Sequence, residues 1–177
     1  MQRPPQAVMR HLRNWHTVMR LIQFGGVPVV AAMSGAVMRD GLEIAAACHV
    51  RVADESVRFR MPEGQRGIFV GGRATVRLGK IIGADRETEM MLTGRTYSGA
   101  EGASIGLAHC SVSEGEALAK APTLAEQIAQ NSSTINYLII QSIGHIADMS
   151  TEDGLYAESL AATLSPDPMP RRGCGRS

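Results

Sequence analysis

The sequence predicts an α/β fold in which strands and helices alternate first and helices alone follow. Three observations predict it. Short apolar runs bounded by Gly, Pro and Ser recur up to about residue 110. Between them lie segments whose apolar residues recur at helical spacing. Beyond about residue 111 only the helical period remains. The 177 residues suit one domain, and 44% hydrophobic with 20% charged residues is a globular composition, long enough to bury a core without staples. The chain divides on this reading into a mixed core over 1–110, a helical region over 111–164 and a disordered tail over 165–177. Aromatic residues make up only 4%, so the core has to be packed with Ala, Val, Ile, Leu and the ten Met.

The elements follow in order. Val8, Leu12, Trp15, Met19 and Ile22 form one apolar stripe, which predicts a helix ended by Gly25-Gly26. Val27 to Met33 is a buried strand with Pro28 near its start, and Ser34-Gly35 turns the chain. Gly41 to Cys48 is helix-prone, with Asp40 placed as its N-cap. His49 to Ala53 and Val57 to Met61 read as two further strands, the second broken by Pro62-Glu63-Gly64. Ala74 to Ile82 and Arg86 to Leu92 are helical. Ser98-x-x-Glu101 and Ser113-x-x-Glu116 both have capping-box spacing, and the second is expected to open a helix to about Ala129 with Pro122 inside it. Ile135 to Ala147 and Gly154 to Leu164 are two more amphipathic helices.

Several function classes are excluded on composition. A net charge of +1 gives no basic field for nucleic acid or an anionic membrane. No apolar stretch reaches the length of a membrane span. Cys48, Cys110 and Cys174 are too few and too scattered for a disulfide framework or a zinc site. His11, His16, His49, His109 and His145 show no metal-ligand spacing and read as surface or loop residues, so no metal is expected. Gly67-x4-Gly72-Arg73-Ala74 lacks the Lys and the Ser/Thr of a phosphate loop, and no G-x-S-x-G elbow is present. Before Asp40 the charged residues are all Arg, among them Arg10, Arg13 and Arg20 on the first helix. That pattern also fits a mitochondrial transit peptide, although an ordinary domain helix feeding a strand is the preferred reading.

Two carboxylates stand out. Glu43 sits in the first turn of the Gly41–Cys48 helix, where the helix dipole favours its charge. Glu63 follows Pro62 in a tight turn after a strand, where a side chain is presented and not packed. Spacing alone explains each as a helix-end charge and a solvated loop residue.

The words around them say more. VPVVAAMSGAV, GLEIAAACHVRVAD, FRMPEGQRGIFVGG, VRLGKIIG, MLTGRTYSGAEGASIGLA and HCSV resemble, block after block, the crotonase superfamily of enoyl-CoA hydratases and isomerases. The similarity runs from about Val8 to about Leu164, and its most specific parts are the GLE helix and the PEG turn twenty residues on. The resemblance implies a spiral of ββα turns followed by a helical trimerisation region. It implies hydration of a 2-enoyl-CoA thioester with Glu43 as the base that activates water and Glu63 as the acid that protonates Cα. Carried over by position, Asp40 supplies an oxyanion N–H, while Ala36, Val37, Met38, Pro62 and Gly71 contact substrate. No cofactor is implied, because CoA is part of the acyl-CoA substrate. The implied partner is the chain itself, as a homo-trimer or a dimer of trimers, in the cytoplasm or alternatively the mitochondrial matrix. Neither nucleic acid nor a membrane is expected as a partner.

The sequence departs from that pattern in places. Met38-Arg39-Asp40-Gly41 stands where a run of glycines is usual, and Arg73 and Ala74 follow Gly71-Gly72 where glycines are usual. A side chain at residue 40 is expected to oppose the glycine conformation, and its carboxylate to oppose a developing enolate. Roughly the first third of the family's domain and its closing helix have no counterpart in these residues. Two functions therefore compete: a hydratase of reduced activity, and an inactive remnant acting as an oligomerising or interaction module. Isomerases of this fold commonly work with the second acid alone, so retention of Glu43 favours hydration; an isomerase or an aromatic enoyl-CoA hydratase-lyase stay open as further readings.

Overall fold

The computed structural model describes residues 4–71 and 74–165. Helix α1 (Pro5–Phe24) begins on Pro4-Pro5, where a missing N–H costs nothing, and stops at Gly25. Strand β1 (Val30–Met33) starts two residues after Pro28, later than the apolar run suggests. Then come β2 (Ala36–Met38), α2 (Asp40–Ala47), β3 (Val50–Asp54) and β4 (Arg58–Arg60). A short 3-10 turn over Gly64–Arg66 leads on to α3 (Ala74–Ile82) and α4 (Ala84–Thr93). Strand β5 (Thr96–Ser98), α5 (Gly99–Ser104) and β6 (Cys110–Val112) close the mixed part, and α6 (Ala117–Ala129), α7 (Ser133–Ile146) and α8 (Thr151–Thr163) follow.

Each pass of the chain contributes to two three-stranded sheets, ordered β1-β3-β6 and β2-β4-β5. This is the ββα spiral implied by the resemblance. β1 pairs in parallel with β3, Val30 opposite Val50, and β3 in parallel with β6, Val52 opposite Cys110. β2 runs parallel to β4, whereas β5 returns antiparallel with Tyr97 opposite Phe59. Parallel neighbours require a crossover. β2 with α2 provides one, and the long path from β4 to α5 provides the other.

The core lies between the spiral and α2, α3 and α4, with Phe59, Leu42, Met61, Leu78, Met90 and Leu107 fully buried. Small residues such as Ala45, Ala53 and Ala74 fill the space between them, as the low aromatic content requires. Phe59 lies against Gly102, where an added Cβ would overlap the ring, so α5 packs on β4 only with glycine there.

Two buried charges fasten the spiral. Arg51 on β3 is fully committed to backbone carbonyls: Nε donates to Leu107, Nη1 to Cys48 and Nη2 to Gly106, at 2.9, 3.1 and 3.1 Å. Asp54 at the end of β3 is 1% exposed and accepts from Ser56 N–H, Ser56 Oγ and Gly115 N–H. Those bonds, the Ser56 hydroxyl first, hold its carboxyl below the usual carboxylate range.

Several local expectations change. β2, β5 and β6 are only three residues each, too short for alternation to reveal. β6 also straddles the expected boundary at residue 110. Asp40 is not the cap of α2; it is the first helical residue, and Arg39 takes the cap position without a side-chain bond. Ser113 and Glu116 form a turn in which Glu116 N–H donates to the Ser113 carbonyl at 3.0 Å, and α6 starts after it with no side-chain cap. The Ser98–Glu101 box forms in full. Apart from Ser165, the tail expected to be disordered lies outside the described residues.

Candidate active site

Helix α2 faces the core with Leu42, Ala45 and Ala46, which rotates Glu43 toward α1, where it is 5% exposed. There Trp15 Nε1 donates a hydrogen bond of 2.8 Å to Glu43 Oε2. Glu63 stands at the entry to the 3-10 turn, and its carbonyl accepts from Arg66 N–H at 3.0 Å and Ile68 N–H at 3.1 Å. The backbone is thereby pinned and the side chain turns inward, 4% exposed. Glu63 Oε2 is buried and has no hydrogen-bond partner among the described residues. An unmatched buried carboxylate oxygen is costly, so such groups mark places where a ligand or water completes the pairing.

The two carboxylates open into one pocket of about 220 Å³. His11, Leu12 and Trp15 of α1 form one side, Arg39, Asp40 and Glu43 another, and Glu63 with Ile68, Phe69, Val70 and Gly71 the third. Gly71 is there because of its size: a Cβ would overlap the Leu12 side chain. His16 Nε2 donates to the Gly71 carbonyl at 2.7 Å, tying the 68–71 segment to α1.

Of the residues expected at a site, Asp40, Glu43, Glu63 and Gly71 share this pocket. Ala36, Val37, Met38 and Pro62 do not line it. The first three form β2, with Val37 in the core, and Pro62 is buried under the turn. Trp15, Leu12, His11, Ile68, Phe69 and Val70 do line it and were not foreseen. Trp15 and Leu12 sat in the apolar stripe of α1, where nothing distinguishes a residue that lines a pocket from one that packs.

The conformational burden expected at Asp40 falls on its neighbour. Arg39 has φ 52° and ψ −126°, and it is the only non-glycine residue with positive φ among the described residues. Asp40 is helical and keeps a first-turn N–H, a group without an intrahelical acceptor. Asp40 and Arg39 both line the pocket.

His49 and His109 lie in loops, in line with the expectation for the histidines, and both carry hydrogen bonds. His49 accepts from Val29 N–H through Nδ1 at 2.9 Å and donates to the Gln23 carbonyl through Nε2 at 3.0 Å, joining α1 to the residue just before β1. His109 Nδ1 accepts from Arg51 N–H at 3.0 Å, and desolvation together with the Arg51 charge lowers its proton affinity. Among the described residues no group of three His, Cys, Asp or Glu could hold a metal ion, and no helix is long and apolar enough to cross a membrane.

The ββα spiral thus carries two buried glutamates that open into one pocket. The chain belongs to the enoyl-CoA hydratase/isomerase family, whose model matches residues 5–165. It is 30% identical over 156 residues to the probable mitochondrial enoyl-CoA hydratase 2 of Arabidopsis thaliana, covering 88% of this chain and 52% of that protein. A solved structure of a candidate enoyl-CoA hydratase from Rhodopseudomonas palustris CGA009 superposes with a TM-score of 0.89 at 44% identity. That match covers 93% of this chain and 64% of the other. The enoyl-CoA hydratase of Bacillus anthracis gives 0.86 at 29% identity, covering 92% and 63%. The chain thus spans about half to two thirds of the length of these relatives.

Proposed function

We propose that the pocket between α1 and α2 adds water across the 2,3 double bond of an enoyl-CoA thioester. The observation that carries this reading is the convergence of Glu43 and Glu63 on one pocket, with Glu63 Oε2 buried and unmatched among the described residues. Glu43 takes a proton from water as its oxygen bonds to Cβ. The π electrons move through Cα onto the thioester oxygen, and the enolate collapses as Glu63 delivers a proton to Cα. Backbone N–H groups at the start of α2, that of Asp40 among them, stabilise the enolate oxygen, a contribution of about 3–4 kcal/mol per donor in comparable sites. The addition is redox-neutral and so calls for no redox cofactor. The Asp40 carboxylate works against the developing negative charge and sets the expected rate low. The apolar helices α7 and α8 support assembly as a homo-trimer, in the cytoplasm or the mitochondrial matrix.

A second reading, a non-catalytic oligomerising module, draws on the Arg39–Asp40 pair in the pocket and the exposed apolar face of α7 and α8. Loss of crotonyl-CoA absorbance separates the two. The native chain is expected to turn over weakly, Asp40→Gly faster, and Glu63→Gln about 100-fold slower or worse. No turnover by the native chain or Asp40→Gly would sink the hydratase reading in favour of the second.

A further inference from the structure

Trp15 is the single tryptophan of the chain, and its indole points into the pocket that holds both glutamates. An amphipathic stripe needs only apolar area at that position, which Leu or Met would supply. Indole adds one polar group, an N–H that can only donate. Here it donates to Glu43 Oε2 at 2.8 Å, across twenty-eight residues of sequence, in a part-buried setting. A hydrogen bond to an ionised carboxylate is about twice as strong as a neutral one, and it is directional. It therefore selects which oxygen of Glu43 is engaged and fixes the rotation of the carboxylate group. The donor is itself held. Trp15 sits one residue before His16, which anchors α1 to the Gly71 carbonyl, and one turn after Leu12, which fills the space left by Gly71.

We infer that Trp15 is a positioning residue for Glu43: its indole N–H sets the orientation of the carboxylate that faces substrate. This rests on the reading of Glu43 as the base, and it adds a residue that acts through Glu43 and not on the reacting atoms. The arrangement also makes the indole a reporter of that carboxylate, because no other tryptophan contributes a signal.

The test uses the full chain in two arms. In the first, the indole N–H resonance of isotope-labelled protein is recorded for the native chain, Glu43→Gln and Glu43→Ala. The native resonance is expected downfield of free indole, with solvent exchange slowed about tenfold or more. Glu43→Ala returns both toward the free values, and Glu43→Gln, a neutral acceptor, falls between. An unchanged resonance and exchange rate in Glu43→Ala overturns the inference. In the second arm Trp15→Phe keeps a ring and removes the N–H. Its kcat on crotonyl-CoA is expected to fall about tenfold with KM within about twofold, with circular dichroism confirming that the variant is folded. Native-like kcat in Trp15→Phe alongside a dead Glu43→Gln overturns the positioning role while leaving the hydratase reading intact. If neither the native chain nor Asp40→Gly turns over, the hydratase reading fails by itself, and the indole resonance alone decides whether Trp15 orients the Glu43 carboxylate.

Discussion

At the level of single residues, Arg39 decides how the pocket is built. Its φ of 52° with ψ of −126° is a conformation that glycine reaches freely and that costs a side chain of order 1–3 kcal/mol. The chain accepts that cost because β2 and α2 must meet at this point to bring Glu43 beside Glu63. Replacing Arg39 by Gly removes the strain but enlarges the unfolded ensemble, which takes back about 0.5–1 kcal/mol. Arg39→Gly is therefore expected to stabilise the fold by about 1 kcal/mol, read as a higher urea midpoint at unchanged slope. A lower midpoint would mean that contacts of the Arg39 side chain outweigh its backbone strain. The sequence marked Met38 to Gly41 as the irregular stretch but assigned the burden to Asp40. Motif spacing locates the glycine run, whereas which member carries positive φ depends on where α2 begins, and that boundary moves by a residue with the packing of Leu42 and Ala45.

At the level of elements, the same sequence word has two fates. Ser98-x-x-Glu101 closes a full box: Glu101 N–H donates to Ser98 Oγ at 3.2 Å, and Ser98 N–H donates to Glu101 Oε2 at 2.8 Å. Ser113-x-x-Glu116 does not, because Gly115 in between adopts φ 83° and gives its N–H to buried Asp54. The tertiary partner wins over the local cap, since the Asp54 carboxylate is inside and needs its donors. Ser98→Ala is accordingly expected to lose about 1 kcal/mol, while Ser113→Ala stays near zero, both from urea unfolding. Equal losses would show that the Asp54–Gly115 bond does not direct the second turn. Long helices were legible in the sequence to within a few residues because their apolar period repeats over several turns. β2, β5 and β6 were not, since three residues carry no period and each is defined by a partner strand far away in sequence. The Glu43–Glu63 pair could be placed from the GLE and PEG words. The α1 wall of the pocket could not, because a stripe of Leu12, Trp15 and Met19 reads alike whether it meets a core or a cavity.

At the level of the whole molecule, the apolar residues are unevenly covered. The residues inside the spiral are buried although β1 leaves Ala32 exposed, and α7 and α8 leave Ile143 64%, Leu155 60% and Tyr156 69% exposed. Between the two helices lies a groove of about 470 Å³ walled by Ile135, Leu138, Ile139, Ile143 and Ile146. Buried apolar area is favourable at about 25 cal/mol per Å², and contiguous exposed patches of this kind mark association surfaces. The helices pack on each other, and α7 touches α1 through Gln141, which donates to the Phe24 carbonyl at 2.7 Å, and through Phe24 stacked on His145. That docking fixes the groove on the body of the molecule but leaves its outer face open, which is the arrangement expected of a helical region that meets other copies. Size-exclusion with light scattering is therefore expected to give a mass above that of the monomer. Ile139→Glu and Leu155→Glu put charge on exposed positions without entering the core, so they should return the mass toward one chain at near-native stability. A monomeric native chain would separate the apolar face from self-association, and an oligomer indifferent to both charges would place the contact elsewhere on the molecule.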